Sequence, residues 1–215
     1  MLSAIPLPGQ RPPAPRPGRR PSSSHDEITD IGLRLFAERG FDAVSVDDIA
    51  GAAGIGRRTF FRYFPSKNDV PWGRFDDHLR EWERWLRAAT TDLPVLDAIR
   101  IAVVRFNSVE PDQVDLHRAR IRTILDSPTL QAHATLRYRR WREVISAYVA
   151  GRLGQDATDR LPHLIGHLAL GAALAAYEQW LADPDADLAR LLDTSLRAIA
   201  PLADAGPLDQ DREMP

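Results

Sequence analysis

The chain has 215 residues, 44% of them hydrophobic and 27% charged, with a formal net charge of −2 and no cysteine. These are the proportions of a globular protein with a sizeable core. They exclude disulfides, thiolate zinc sites and cysteine nucleophiles, and no apolar run approaches the ~20 residues of a membrane span.

Residues 1–22 are crowded with prolines and carry Arg11, Arg16, Arg19 and Arg20 without an acid. A disordered arm is expected there, either a solvated tail or a source of phosphate and minor-groove contacts. No signal-peptide pattern is visible at this end, so a cytoplasmic location is expected.

From residue 24 the pattern is helical throughout. A first helix over 24–39 places Ile28, Ile31, Leu35 and Phe36 on one face and meets Gly40 at its end. A second starts at Ser45, where "SVDD" reads as a capping box, and ends at Gly54. A third covers 56–63 and stops before Pro65. "SKND" at Ser66–Asp69 reads as another capping box that opens a long fourth helix to Thr90. Five more helices are expected near 94–107, 113–126, 128–153, 158–182 and 186–202, separated by proline, glycine and aspartate clusters. The fold class is therefore all-α with about nine helices. The expected division is an arm (1–22), a first helical unit (23–68), a second, larger helical unit (69–203) and a disordered tail (204–215).

The second and third helices make a helix-turn-helix candidate. Ala50 is small where the third helix must cross, Gly54 suits the turn, and Val46, Ile49, Ala53, Ile55 and Phe60 knit the unit. On a helical wheel Phe60 and Phe64 lie together as core, with Arg58 and Arg62 on the opposite side. Phe61 shares a flank with Arg57, and Thr59 shares the other with Tyr63. In a helix-turn-helix this outer face enters the major groove, where arginine pairs with guanine and an apolar ring meets the thymine methyl. Lys67 is the sole lysine among the 28 basic residues. Placed in the first turn of a helix it opposes the dipole, so a phosphate partner is the reading that explains it.

The run from Phe36 to Val70, "FAERGFDAVSVDDIAGAAGIGRRTFFRYFPSKNDV", resembles the DNA-binding unit of TetR-family transcriptional regulators. The matching positions are Phe36, Gly40, Phe41, Ser45, Ile49, Ala50, Ala53, Gly54, Thr59, Phe60, Tyr63, Phe64, Ser66 and Lys67. The resemblance implies DNA contacts by Arg57, Arg58, Thr59, Phe61, Tyr63 and Lys67, with Ser45 at a phosphate; Arg62 joins them from the wheel. Gly56, Arg58 and Phe61 depart from the commonest family residues, which leaves the operator sequence open. The stretches "RFNSVEPDQ", "LQAHATLRYRRWREV" and "GHLALGAALAAYEQWL" extend the likeness to the branch of this family found beside mycofactocin biosynthesis genes. That branch implies control of a peptide-derived redox-cofactor system.

The remainder is rich in large apolar residues, and ordinary core packing is the plain reading for most of them. The family resemblance adds an effector pocket, expected from Trp72, Phe75, Leu79, Trp82, Phe106, Arg122, Arg137, Trp141 and His167. Arginines at 118, 120 and 122 and at 137, 139, 140 and 142 are either a solvated face or the phosphate site of an amphipathic anion such as a long-chain acyl-CoA. His163 and His167 share a helical face without a third ligand or an HExxH motif, so no metal and no cofactor are expected. The family also implies a homodimer through the last two helices, expected from Leu170, Leu174, Tyr177, Leu181, Leu192 and Leu196. Two reading heads would then meet half-sites about 34–36 Å apart, or a multiple of that, on a near-palindrome. An effector would change their spacing, with repression the family default. No nucleophile–base pair, phosphate loop or carboxylate pair marks an enzyme, so an enzyme is not expected. Two alternatives stay open: a relative serving an unrelated efflux or metabolic operon, and an architectural DNA-binder without effector.

Overall fold

The computed structural model describes residues 24–89 and 92–199. The expected arm at 1–22 and tail at 204–215 lie outside the described residues. Those described form nine α-helices and no strand: α1 (His25–Arg39), α2 (Val46–Ala52), α3 (Arg57–Tyr63), α4 (Phe75–Ala89), α5 (Val95–Phe106), α6 (Val114–Asp126), α7 (Pro128–Leu153), α8 (Arg160–Ala182) and α9 (Leu188–Arg197). Short 3₁₀ turns at Lys67–Trp72 and Pro111–Gln113 precede α4 and α6.

Local sequence accounts for the helix ends. Ser24 caps α1 and exchanges bonds with Glu27, while Ser45 caps α2 and exchanges bonds with Asp48. The turn after α2 is closed twice, by Ile55 N–H to the Ala50 carbonyl (2.9 Å) and Gly54 N–H to the Gly51 carbonyl (3.1 Å). This double closure needs a left-handed residue, and Gly54 supplies it at φ 66°.

The expected long helix from Ser66 to Thr90 is a correction. Pro71 removes a backbone donor and Gly73 turns the chain at φ 51°, so a 3₁₀ segment and a break precede α4. The expected "SKND" capping box is also absent: the Ser66 hydroxyl donates to the Asp69 carboxylate (2.7 Å) and caps no backbone amide.

Two main cores result. The first is built on Ile28, Leu33, Phe36, Ile49, Phe60 and Phe64, and α7 contributes Leu130 to it, fully buried. The second fills α4, α5 and α7–α9, with Trp82 stacked on Trp141 (5.3 Å between rings) and its Nε1 donating to the Ala102 carbonyl (2.7 Å). A smaller cluster of Trp72, Ile124 and Ala134 lies at the junction.

Candidate functional site

The outer face of α3 is set by its inner one. Phe60 is 0% exposed and Phe64 1%, and their rings lie 5.5 Å apart, which fixes the rotation of a helix of only seven residues. Arg58, Phe61 and Arg62 are consequently exposed, and Thr59 and Tyr63 are half-buried at its flanks. Arg57 donates to Asp47 of α2 at 2.8 Å and lies over the Phe61 ring at 5.4 Å. Arg62 lies over the Tyr63 ring at 5.3 Å.

Ser45 stands beside this face. Its hydroxyl accepts from Asp48 N–H (3.1 Å), and its own amide donates to the Asp48 carboxylate (2.8 Å). The Ser45 hydroxyl bond, the Ser45 amide bond and Arg39 together hold the Asp48 carboxyl down at about 2.

Lys67 has a structural explanation that the dipole argument missed. Its ammonium donates to the carbonyls of Phe41 (2.8 Å) and Val44 (2.9 Å) and sits 4.2 Å from the Phe41 ring centre. It therefore ties down the α1–α2 turn, and one of its three protons is left for an outside acceptor.

Behind this head lies a cavity of about 230 Å³ walled by Trp72, Phe75, Phe106, Ile121, Ile124, Tyr138, Trp141, Leu170 and Leu174, among others. A wider groove of about 680 Å³ between α4, α5 and α9 shares Phe106 and His78 with it. Of the nine expected pocket residues, Trp72, Phe75, Phe106 and Trp141 line the cavity. The other five do not line it. Leu79 is buried in the core, and Trp82 backs Trp141 and faces the groove. Arg122 donates to the Leu181 carbonyl (3.3 Å) and Arg137 to Asp69 (2.7 Å). His167 is exposed, and its Nδ1 donates to the His163 carbonyl (2.9 Å). Among the described residues no three His, Asp or Glu side chains converge as metal ligands.

The cavity's polar groups were missed as such. His117, Arg120, Asn107 and Tyr177 line it. The Tyr177 hydroxyl donates to the Asn107 side-chain oxygen, and burial pushes its pKa well up. Burial, and then the neighbouring Arg120, push His117 down to about 4, so its ring is neutral at pH 7. The signal was present: His117, Arg120, Ile121 and Ile124 share one helical stripe, so α6 carries an imidazole and a guanidinium on its apolar face.

Several of the expected dimer residues turn inward within a single chain. Leu192 and Leu196 are 0% and 6% exposed there. Leu170, Leu174 and Tyr177 face the cavity, and Leu181 is half-buried against the core. The apolar surface of α8 runs instead through Leu161 and Leu164, both exposed, and on through half-buried Leu168 to exposed Gly171 and Ala175. These positions are three and four apart and form one stripe.

Cavity and head meet at the 3₁₀ turn. Trp72 ends that turn and walls the cavity, while Lys67 begins it and holds the α1–α2 turn. Asp69, between them, binds Ser66 and the Arg137 guanidinium, which also lies over the Trp72 ring at 4.9 Å. Burial raises the Asp69 pKa, but these bonds outweigh it and the net shift is downward.

Residues 28–70 match the model of the bacterial regulatory proteins of the tetR family, and residues 93–203 match the MftR C-terminal domain. A Mycobacterium tuberculosis protein designated mycofactocin biosynthesis transcriptional regulator MftR is 44% identical over 86% of this chain and 93% of its own. A TetR-family regulator from Syntrophomonas wolfei superposes with a TM-score of 0.64 at 17% identity, over 86% of this chain and 97% of that one. The Thermus thermophilus repressor FadR in complex with lauroyl-CoA superposes with a TM-score of 0.55 at 22% identity, over 89% and 99%. No described helix is long and apolar enough to cross a membrane.

Proposed function

The chain belongs to the TetR family of DNA-binding transcriptional regulators, and from that premise we propose that two copies grip a near-palindromic operator and are released by a small effector. The observation that carries this reading is the outer face of α3, where Arg58 and Arg62 are exposed without a carboxylate partner among the described residues and Phe61 is 43% exposed. Arg58 and Arg62 suit guanine edges or phosphates, and the Phe61 ring suits a thymine methyl. Arg57 would exchange its Asp47 partner for DNA, Ser45 would meet a phosphate, and the spare Lys67 proton would meet another.

The second copy would seat on the α8 stripe from Leu161 to Ala175, whose small residues allow close helix approach. The effector would occupy the cavity behind Trp72. Its preference for one position of the Lys67–Trp72 turn would alter the spacing of the two α3 helices. The regulated genes we propose are those of a mycofactocin-type redox system, supported by the 44% identity to MftR. Repression is the mode this reading favours.

The effector class we propose is an apolar-tailed anion. A long-chain acyl-CoA is one member, supported by the lauroyl-CoA complex of a protein with the same fold. The arginine cluster that suggested it does not form a site, however. Arg118 and Arg122 hold carbonyls at the end of α8, and Arg137, Arg139 and Arg140 pair with Asp69, Glu143 and Asp76.

The test is footprinting upstream of the protein's own gene with full-length protein. Wild type is expected to protect an inverted repeat and Arg58→Ala to lose that protection. Equal protection by both would refute the assignment of α3 as the reading helix.

A further inference from the structure

The cavity has an unusual polar content for an apolar chamber. Four buried nitrogens on three of its lining residues have no partner among the described residues: Trp72 Nε1, Arg120 Nε, and both ring nitrogens of His117. Buried polar atoms in folded proteins are rarely left this way, and a buried charge without a counter-ion is costlier still. Arg120 makes no ion pair within 4.0 Å among the described residues, although Asp30 and Asp26 of α1 act on it from farther off. Three of the four nitrogens can donate at once: the indole and the guanidinium always carry N–H groups, and a neutral imidazole offers one.

We propose that the cavity recognises a free carboxylic acid with an apolar chain, its carboxylate accepting from Arg120 with His117 and Trp72 as further donors. This rests on the reading of the cavity as the effector site and names what that site selects. A carboxylate is acceptor-only, as the unpaired donors demand, and its single negative charge matches the single guanidinium. A phosphate dianion would leave a charge in excess, because His117 is neutral. Away from these nitrogens the walls of the cavity are apolar, with Phe75, Phe106, Ile121, Leu170 and Leu174 placed to receive a hydrocarbon chain. The acid also has a route to the head: once it engages Arg120, the guanidinium acts less on Asp30, and α1 carries the first core.

The experiment uses the full-length dimer with octanoate, 1-octanol and octanoyl-CoA, read by calorimetric titration and by release of the operator. Octanoate is expected to bind at least about tenfold more tightly than octanol, the size of a charge-assisted hydrogen bond. Arg120→Met is expected to remove that preference while retaining octanol binding. Equal affinities of acid and alcohol for the wild-type protein overturn the proposal without needing any variant to fold. Binding of the CoA ester alone, unchanged in Arg120→Met, also overturns it but leaves the cavity as the effector site. If none of the three binds or releases DNA, the effector-site reading itself falls.

Discussion

The head (α1–α3) and the bundle (α4–α9) both bury aromatic rings, but for opposite ends. In the head, Phe60 and Phe64 go inward so that Arg58 and Phe61 can point out. In the bundle, Trp72, Trp141 and Tyr177 turn toward a cavity, and the outside is left to ion pairs such as Arg139–Glu143 and Arg140–Asp76. A surface site needs one rigid element, whereas a chamber needs walls from several, here spread from Pro71 to Tyr177. Head substitutions should therefore alter DNA binding with little change in effector binding, and bundle substitutions the reverse. The Lys67–Trp72 turn and the approach of Arg120 on α6 to Asp30 on α1 should report on both.

The largest break in that contrast is expected at Trp82. Trp82→Ala removes a stacked ring and an indole bond from a side chain 4% exposed, which should cost about 3–5 kcal/mol by chemical denaturation. Because the loss lies in the bundle core, operator affinity of the remaining folded protein should be unchanged. A parallel loss of DNA affinity would mean that the two cores are not separable.

The next effect is pH-dependent. His117 titrates at about 4 in the fold against an ordinary 6.5, so the unfolded chain binds the extra proton between those values. Stability is complete above pH 6.5 and is lost as the pH falls toward 4, by roughly 3 kcal/mol at ~1.4 kcal/mol per pH unit. His117→Phe should flatten the slope of melting temperature against pH in this window. A slope equal to wild type would show that other groups carry it.

The head supplies a smaller and cleaner effect. Arg58→Ala should leave the melting temperature within about 1 °C, since an exposed residue without a pair contributes little to folding. Operator affinity should fall by about 1–3 kcal/mol if Arg58 reads a base pair and should be less sequence-selective. A uniform loss on all sequences, with a shallower salt dependence, would reassign it to a phosphate.

The same contrast explains what the sequence could tell. The head was readable because its motif is contiguous: "SVDDIAGAAGIGRRTFF" carries cap, turn, core and outer face within one stretch. The nine helices were readable for the same local reason. The cavity's acids and bases were not, because membership depends on which side chains of distant helices meet. Arg137 carries the same charge as Arg120, yet it pairs with Asp69 while Arg120 stays unpaired. The structural role of Lys67 was not readable because its partners are carbonyls of Phe41 and Val44, more than twenty positions earlier, and carbonyls leave no mark in a sequence. The exposed face of α8 was not readable because the helix is apolar nearly all round, so periodicity could not separate the side toward the core from the side left to the surface.

The smallest expected effect is also the most discriminating, because Ser45 has two roles assigned to one hydroxyl. As the cap of α2 it accepts from Asp48 N–H at 3.1 Å, and Ser45→Ala should cost about 1 kcal/mol of stability. As a phosphate contact it should also cost operator affinity, so alanine alone cannot separate the two. Ser45→Thr keeps both the acceptor and the donor and should restore both properties. Ser45→Asp keeps the acceptor at the N-terminus of α2 but places a negative charge beside DNA. It also sets a second carboxylate against Asp48, which accepts from the Ser45 hydroxyl, so it should recover little of the lost stability while weakening operator binding beyond the alanine variant, most strongly at low salt. If the aspartate variant bound the operator as well as wild type, Ser45 would be a helix cap alone, and the phosphate would lie elsewhere on the head.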